Sequence, residues 1–423
     1  MVHHTISTSA SKAPSASSKI RTMNRLLWRA VLGMACLGIV GMMVSCSSAP
    51  EVPVRSTVPD AGVLPQRPTA PAARPPGGAD DGVVFDDTAP LPAVIRQPRS
   101  RWVPVRWAEL PGFRDDALHE AWNAWLKSCE RPLAAFAALC PEIRLLSLAD
   151  EAEQRRWMFQ RLQPYRVEAP ATGSEGLLTA YFEPMLQASR VPRPEFTIPL
   201  YRPPERLAAR KPWYTRKEME TLPEAKAALR GREIAWLADP VDALMLQIQG
   251  SGRLQMIEPD GAQRTVRLAF AATNDQPYAS VGRWLLDQQL VREASWPGIR
   301  SWVALNPQRV NDMLWSNPRT VFFREEPLSD FDAGFGPRGA QGVPLTPGRS
   351  IAVDPGSIPY GTPVWLASTG PSVQLQRLVL AQDTGSAIVG AVRADYFVGW
   401  GAQAGDIAGS LKQPLRLWVL WPK

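Results

Sequence analysis

The sequence predicts a mainly β fold with helical segments, in which one β-rich domain is inserted into another. Three observations carry that reading. A helical block comes before Gly173, short apolar runs bounded by Gly and Pro follow it, and a second helical block ends at Pro318, after which only strand-like runs remain.

In the first block, RDDALHEAWNAWLKSC has apolar residues at helical spacing. Ser147 to Asp150 reads as a capping box that opens a second helix, LADEAEQRRWMFQRLQ. After Gly173 the runs GLLTAYFEP, FTIPLYRPP, EIAWLADP, ALMLQIQGSG and TVRLAFA have strand length and strand composition. Among them Thr215 and Glu218 form another capping box and start one intervening helix. The second block is SVGRWLLDQQL with SWVALNPQRVNDMLWSN. RTVFFRE, SIAVD, TPVWLA, LQRLVLAQD and LRLWVLW then read as strands, and no internal repeat is visible. Most of the sixteen tryptophans lie at helical spacing in the helical blocks and are expected in the core.

Residues 1–45 carry five basic residues and no acid, followed by LLWRAVLGMACLGIVGMMVS. A basic segment before a short apolar one is a secretory signal rather than a structural element. Met23 is an alternative start, because it gives the more usual signal length. The segment ends in Met43-Val44-Ser45-Cys46, which resembles the lipobox of bacterial lipoproteins. By that resemblance Cys46 is the lipidated terminus, and Ser47 addresses the protein to the outer membrane of a Gram-negative cell, facing the periplasm. The other reading is an ordinary signal with a chance cysteine. From Cys46 to about Ser100 the chain is rich in Pro, Ala and Gly, too poor in apolar surface to fold, and is expected to be an extended tether.

Removing the signal takes five charges from the net +7 and leaves +2, so no nucleic-acid footprint remains. Cys129 and Cys140 admit two readings, a local disulfide in an oxidising compartment or two buried free thiols. Only His119 persists after cleavage, which excludes histidine triads and His-rich metal sites, and no cofactor is implied. Carboxylate chemistry is left.

Asp354, Asp383 and Asp395 each follow or close a strand-like run, beside glycine or aromatic residues. Carboxylates gathered at strand ends can do acid/base work when burial and neighbouring charge move their pKa values. Taken singly, Asp-Pro-Gly and Asp-Thr-Gly are also ordinary turns. Gln247-Ile-Gln249-Gly250-Ser251-Gly252 follows an apolar run read as a strand. It is either a ligand loop, with amides for sugar hydroxyl or N-acetyl groups, or a hairpin turn. Thr179, Tyr181 and Phe182 are either an aromatic face of the kind that stacks on sugar rings or core strand residues, and the core reading favours Phe182 over Tyr181 because the period of two puts them on opposite faces. Asp383-Thr384-Gly385 also matches the aspartic-protease signature, but that enzyme needs two such aspartates sharing a proton and the chain carries one copy.

WAELPGF, LLTAYFEP, IPLYRPP, LQIQGSG, NPRTVFF and the aspartate-bearing C-terminal region together resemble the membrane-bound lytic murein transglycosylase A family, whose C-terminal module carries three aspartates. The resemblance implies a double-psi β-barrel of residues 101–179 plus 318–423, an inserted β-rich substrate domain of residues 180–317, and a groove between them. It implies cleavage of the β-1,4 bond between N-acetylmuramic acid and N-acetylglucosamine in peptidoglycan, closing 1,6-anhydro ends. Asp383 matches the family's single catalytic aspartate. Asp395 is expected to tune it, Asp354 to be structural, and Thr179, Tyr181, Gln249, Gly250, Ser251 and Gly252 to bind glycan. The implied partners are glycan strands, the outer membrane through the lipid, and cell-wall synthesis or division proteins, with the enzyme a monomer. A non-catalytic peptidoglycan-binding lipoprotein is the alternative of a different class. The loop SDFDAGFGPRG is expected to add little.

Overall fold

The computed structural model describes residues 87–423, apart from 172 and 372. The signal segment, Cys46 and most of the expected tether lie outside the described residues. Strands β1 (Ile95–Arg96), β2 (Arg101–Pro104), β3 (Leu162–Glu168) and β4 (Gly176–Glu183) come first. Next are β5 (Met185–Ser189), β6 (Ile198–Tyr201), β7 (Glu233–Leu237), β8 (Ser251–Ile257), β9 (Gln263–Thr273) and β10 (Val321–Glu326). The order ends with β11 (Ser350–Val353), β12 (Pro363–Thr369), β13 (Gln374–Asp383), β14 (Arg393–Trp400) and β15 (Lys412–Pro422).

They form two sheets. The first has nine strands in the order β1-β2-β3-β15-β12-β13-β11-β14-β4, and β15 also pairs with β4. The path β15-β12-β13-β11-β14-β4 therefore closes on itself as a six-stranded barrel, which leaves those strands no free edge. Within it β11–β13 and β14–β4 are parallel pairs, while β12 runs antiparallel to both β13 and β15.

Alternation explains why the barrel strands read as continuous apolar runs. Val364, Leu366, Val379, Ala381, Leu417 and Val419 share the interior cluster. Their neighbours Trp365, Leu378, Leu380, Trp418 and Leu420 point the other way, into a second cluster with Trp122, Trp125 and Trp157 of the helical block. A strand covered on both faces has no polar side to show. A disulfide joins Cys129 to Cys140 beneath that block, so the first of the two cysteine readings holds.

The second sheet has six strands, β10-β9-β8-β5-β7-β6. Its core gathers Leu200, Ile234, Leu254, Leu268 and Phe323 around Ala243 and Leu246 of the helix Pro240–Gln249.

Four expectations are corrected. ALMLQIQ is not a strand but that helix: Asp239 caps it through Val241 N, Pro240 takes its first position, and Gly250 closes it in the left-handed region at φ 81°. Val241, Ala243, Leu244, Met245 and Leu246 are all buried, and an apolar run buried on every side shows neither period. The cap of the second helix is Asp150 alone, accepting from Glu153 N at 2.8 Å, while Ser147 donates to Arg144 O behind it. Folded structure begins within the expected tether, since Ile95 and Arg96 pair with β2. Finally, RTVFFRE pairs with β9, because Val321 and Phe323 complete the second core, so that sheet runs past residue 317; β4 likewise runs on past residue 179. The Thr215–Glu218 capping box is as expected. Among the described residues no helix is long and apolar enough to cross a membrane.

Candidate active site

Strand register places the acidic residues in one row. The pairing of β11 with β13 slips between Ile351 and Ala352, so Ile351 opposes Ala381 whereas Ala352 opposes Asp383. Such a bulge re-aims a side chain at the end of a strand. On its other edge Ala352 opposes Asp395, and Asp395 opposes Thr179. Asp383, Ala352, Asp395 and Thr179 thus cross four adjacent strands on the face away from Ile351, Leu178, Ala394 and Tyr396, which line the barrel interior.

Asp383 is half-buried, open enough to be reached from outside and packed enough to feel the protein. Its Oδ2 accepts from the Tyr181 hydroxyl at 2.9 Å and its Oδ1 from Ala340 N at 3.0 Å. Burial raises its pKa to about 6; the Thr384 N–H, the Tyr181 hydroxyl and the Ala340 N–H pull it down, and the charge of Asp395 adds to the rise. The Tyr181 ring packs on Phe397 with centroids 5.3 Å apart, and burial, followed by the Asp383 charge, pushes its phenol well above the usual range. Asp395 accepts from Thr179 Oγ1, which in turn accepts from Arg393 Nη2 at 2.8 Å. Burial raises the Asp395 pKa too, opposed by that hydroxyl and by Arg393.

The remaining expected residues divide. Asp354 is buried away from this row and accepts from Gly356 N, Gly390 N and Arg99. It fastens the turn after β11 to the segment after β13. Gln249 lies against the site, its Oε1 accepting from Phe182 N, one residue beyond Tyr181, at 3.0 Å. Gly250 provides the left-handed helix end. Ser251 and Gly252 are buried in β8, and a Cβ on Gly252 would come within 2.3 Å of Leu246 Cδ1, so this glycine serves a close internal approach. Gln247 turns inward and accepts from Arg216. Phe182 packs with Met245 and Ala404, on the core side as expected.

Sequence reasoning missed Ala340, Tyr360 and Arg393. The loop set aside as unimportant ends at Gly339, next to the backbone donor that reaches Asp383. A main-chain N–H leaves no trace in residue type, although the loop's glycines are a signal of close approach: a Cβ on Gly339 would meet Gln382 O at 2.5 Å. Tyr360, in the turn before β12, feels the charges of Asp383 and Asp354. Among the described residues no group of three or more His, Cys, Asp or Glu could hold a metal ion.

A family model described as the MltA specific insert domain matches residues 177–324, and one described as the 3D domain matches residues 349–421. A membrane-bound lytic murein transglycosylase A of Vibrio cholerae is 30% identical over 256 residues, which are 58% of this chain and 65% of that protein. The chain thus spans just under two thirds of that relative's length. Among solved structures, the lytic transglycosylase LtgG of Burkholderia pseudomallei is 42% identical, with 79% of this chain and 100% of that one covered and a TM-score of 0.54. MltA from Neisseria gonorrhoeae is 27% identical, with 79% and 96% covered and a TM-score of 0.66.

Proposed function

This chain belongs to the membrane-bound lytic murein transglycosylase A family, and on that premise we propose that it cleaves peptidoglycan between N-acetylmuramic acid and N-acetylglucosamine, leaving 1,6-anhydro ends. One observation carries the reading: a half-buried carboxyl, Asp383, held by Tyr181 and Ala340, whose pKa of about 6 keeps a useful fraction protonated near neutral pH. A hydrolase needs two carboxyls in separate roles. A lytic transglycosylase needs one, because the 6-hydroxyl of the muramic acid ring is the nucleophile and is already held on the same molecule. Effective molarities for such intramolecular attack reach about 10⁵ M or more.

In the first step Asp383 gives its proton to the departing glycosidic oxygen. Its carboxylate, held by Tyr181 and Ala340, then accepts the proton of the 6-hydroxyl as the anhydro ring closes. Asp395, tied to Thr179, keeps a second negative charge close and tunes the first. Asp354 braces the strand ends. Glycan lies across Thr179, Tyr181 and Gln249 in a groove between the two sheets. Gly250, Ser251 and Gly252 shape that wall from within. The barrel is residues 101–183 with 350–423, and the inserted domain closes with β10. Cys46 bears lipid in the outer membrane, and the monomeric enzyme faces the periplasm.

Mass spectrometry of the products released from purified sacculi tests the reaction. Anhydro-muropeptides are expected, and saturable binding without release would show a non-catalytic binder instead.

A further inference from the structure

Three buried charges lie where the two sheets meet. Glu183, the last residue of β4, is fully buried and accepts from Arg253 Nε of β8 at 3.1 Å and from Arg267 Nε of β9 at 2.8 Å. Two guanidiniums against one carboxylate leave N–H groups and positive charge that burial penalises unless other acceptors take them. Those acceptors belong to one loop. Arg253 donates Nη1 to Ala333 O and Nη2 to Phe335 O, both at 2.9 Å, and Arg267 donates Nη2 to Phe335 O. The Trp400 ring, at the end of β14, covers the Arg253 guanidinium at 3.7 Å.

Beyond Phe335 the loop is tied to itself and then to the site. Gly336 N donates to Leu345 O at 2.8 Å and Gly339 N to Val343 O at 3.0 Å. At the tip, Gln341 N donates to Gln382 O and Ala340 N to Asp383 Oδ1, each at 3.0 Å.

We infer that Arg253 and Arg267 are positioning residues for Asp383: by clamping Ala333 and Phe335 they hold the loop so that the Ala340 N–H reaches the carboxylate. The second sheet thereby sets the state of an acid that sits on the first. The inference rests on the role proposed for Asp383 only for its catalytic consequence, because the geometry is independent of it. The other groups facing Asp383 are Tyr181 from β4, Asp395 from β14, and Tyr360 and Thr384 from the flanking turns; of the charges near the site, only Glu183 contacts the arginines. An N–H aimed at a carboxylate favours its ionised form, so releasing the loop raises the pKa.

The test is a ¹³C-carboxyl NMR titration of aspartate-labelled protein, with the Asp383 signal assigned from Asp383→Asn. Arg253→Lys keeps a charge for Glu183 but cannot span two carbonyls, and Ala340→Pro removes the donor itself. Both are expected to move the Asp383 midpoint upward, by roughly one pH unit for Ala340→Pro and by up to that for Arg253→Lys. The alkaline limb of kcat should move with it while KM stays near the unmodified value. An unmoved midpoint in Arg253→Lys overturns the inference, as does a midpoint that moves in Arg253→Lys but not in Ala340→Pro. If Arg253→Lys does not fold, Arg267→Lys, which removes the other donor to Phe335 O, carries the same test. A midpoint that moves in protein lacking turnover counts against the proposed reaction and leaves the clamp standing.

Discussion

Asp383→Asn should inactivate the protein and stabilise it at the same time. The folded pKa is about 6 against 3.8 for an unperturbed aspartate, so the folded state holds this proton more tightly than the unfolded chain does. A raised pKa contributes stability that is fully present below about pH 4 and is lost as pH rises through about 6. The loss amounts to as much as about 3 kcal/mol by pH 8, at about 1.4 kcal/mol for each pKa unit. Asparagine carries no charge and escapes it. Its oxygen still accepts from Ala340 N, and its amide can donate to the Tyr181 oxygen, so little is given back. Urea denaturation across pH should find the two proteins alike near pH 4 and the variant ahead at pH 8. A gap of the same size at both ends would refute the reasoning, because it would mean that no charge is held at a cost in this position. Turnover should fall about 10²- to 10⁴-fold, the usual contribution of a general acid, and glycan binding should persist.

Tyr181→Phe keeps the ring on Phe397 but removes a donor to the carboxylate, so the Asp383 midpoint and the alkaline limb of activity should move upward; a downward move in a pH-rate profile would contradict the assigned hydrogen bond. Asp395→Asn removes a neighbouring charge that raises the Asp383 pKa, and the alkaline limb should move down with only a modest loss at the optimum; a loss equal to that of Asp383→Asn would mean that the two carboxyls titrate as one catalytic unit. Replacing both Cys129 and Cys140 by serine opens a loop with 11 residues of sequence separation and should cost about 3 kcal/mol in urea unfolding; an unchanged midpoint would show that the helical block is held by its tryptophans alone. Cys46→Ala should abolish palmitate labelling and release the enzyme from the outer-membrane fraction; labelled, membrane-bound variant would refute the anchor.

The sequence shows the site more readily than its supports. Asp383 and Asp395 stand out because a charged residue closing or interrupting an apolar strand is conspicuous, and Tyr181 because the period of two separates it from Phe182. The bulge at Ala352, which brings both aspartates to one row, depends on a pairing register that no local pattern encodes. The helix Pro240–Gln249 was legible at its ends, in Asp239-Pro240 and Gly250, but its all-round burial hid the period between them. Ala340 and the arginine clamp act through main-chain atoms or across long sequence separations, and residue type alone does not point to either.

The closed barrel also dictates an order of assembly. Thr179 and Asp395 are 216 residues apart in the chain and Tyr181 and Asp383 are 202 apart, whereas every strand of the second sheet lies between them, within 185–326. Distant pairings form late, because chain entropy must be overcome before they contribute. The second sheet can therefore be complete while β4 still waits for β14 and β3 for β15, the strand that pairs with β3, β4 and β12. A chain that stalls before Lys412 would carry every residue of the acidic row on four strands that pair with one another, yet the barrel would stay open between β4 and β12. On the proposed function, the ability to cut glycan would then be completed only with the last strand.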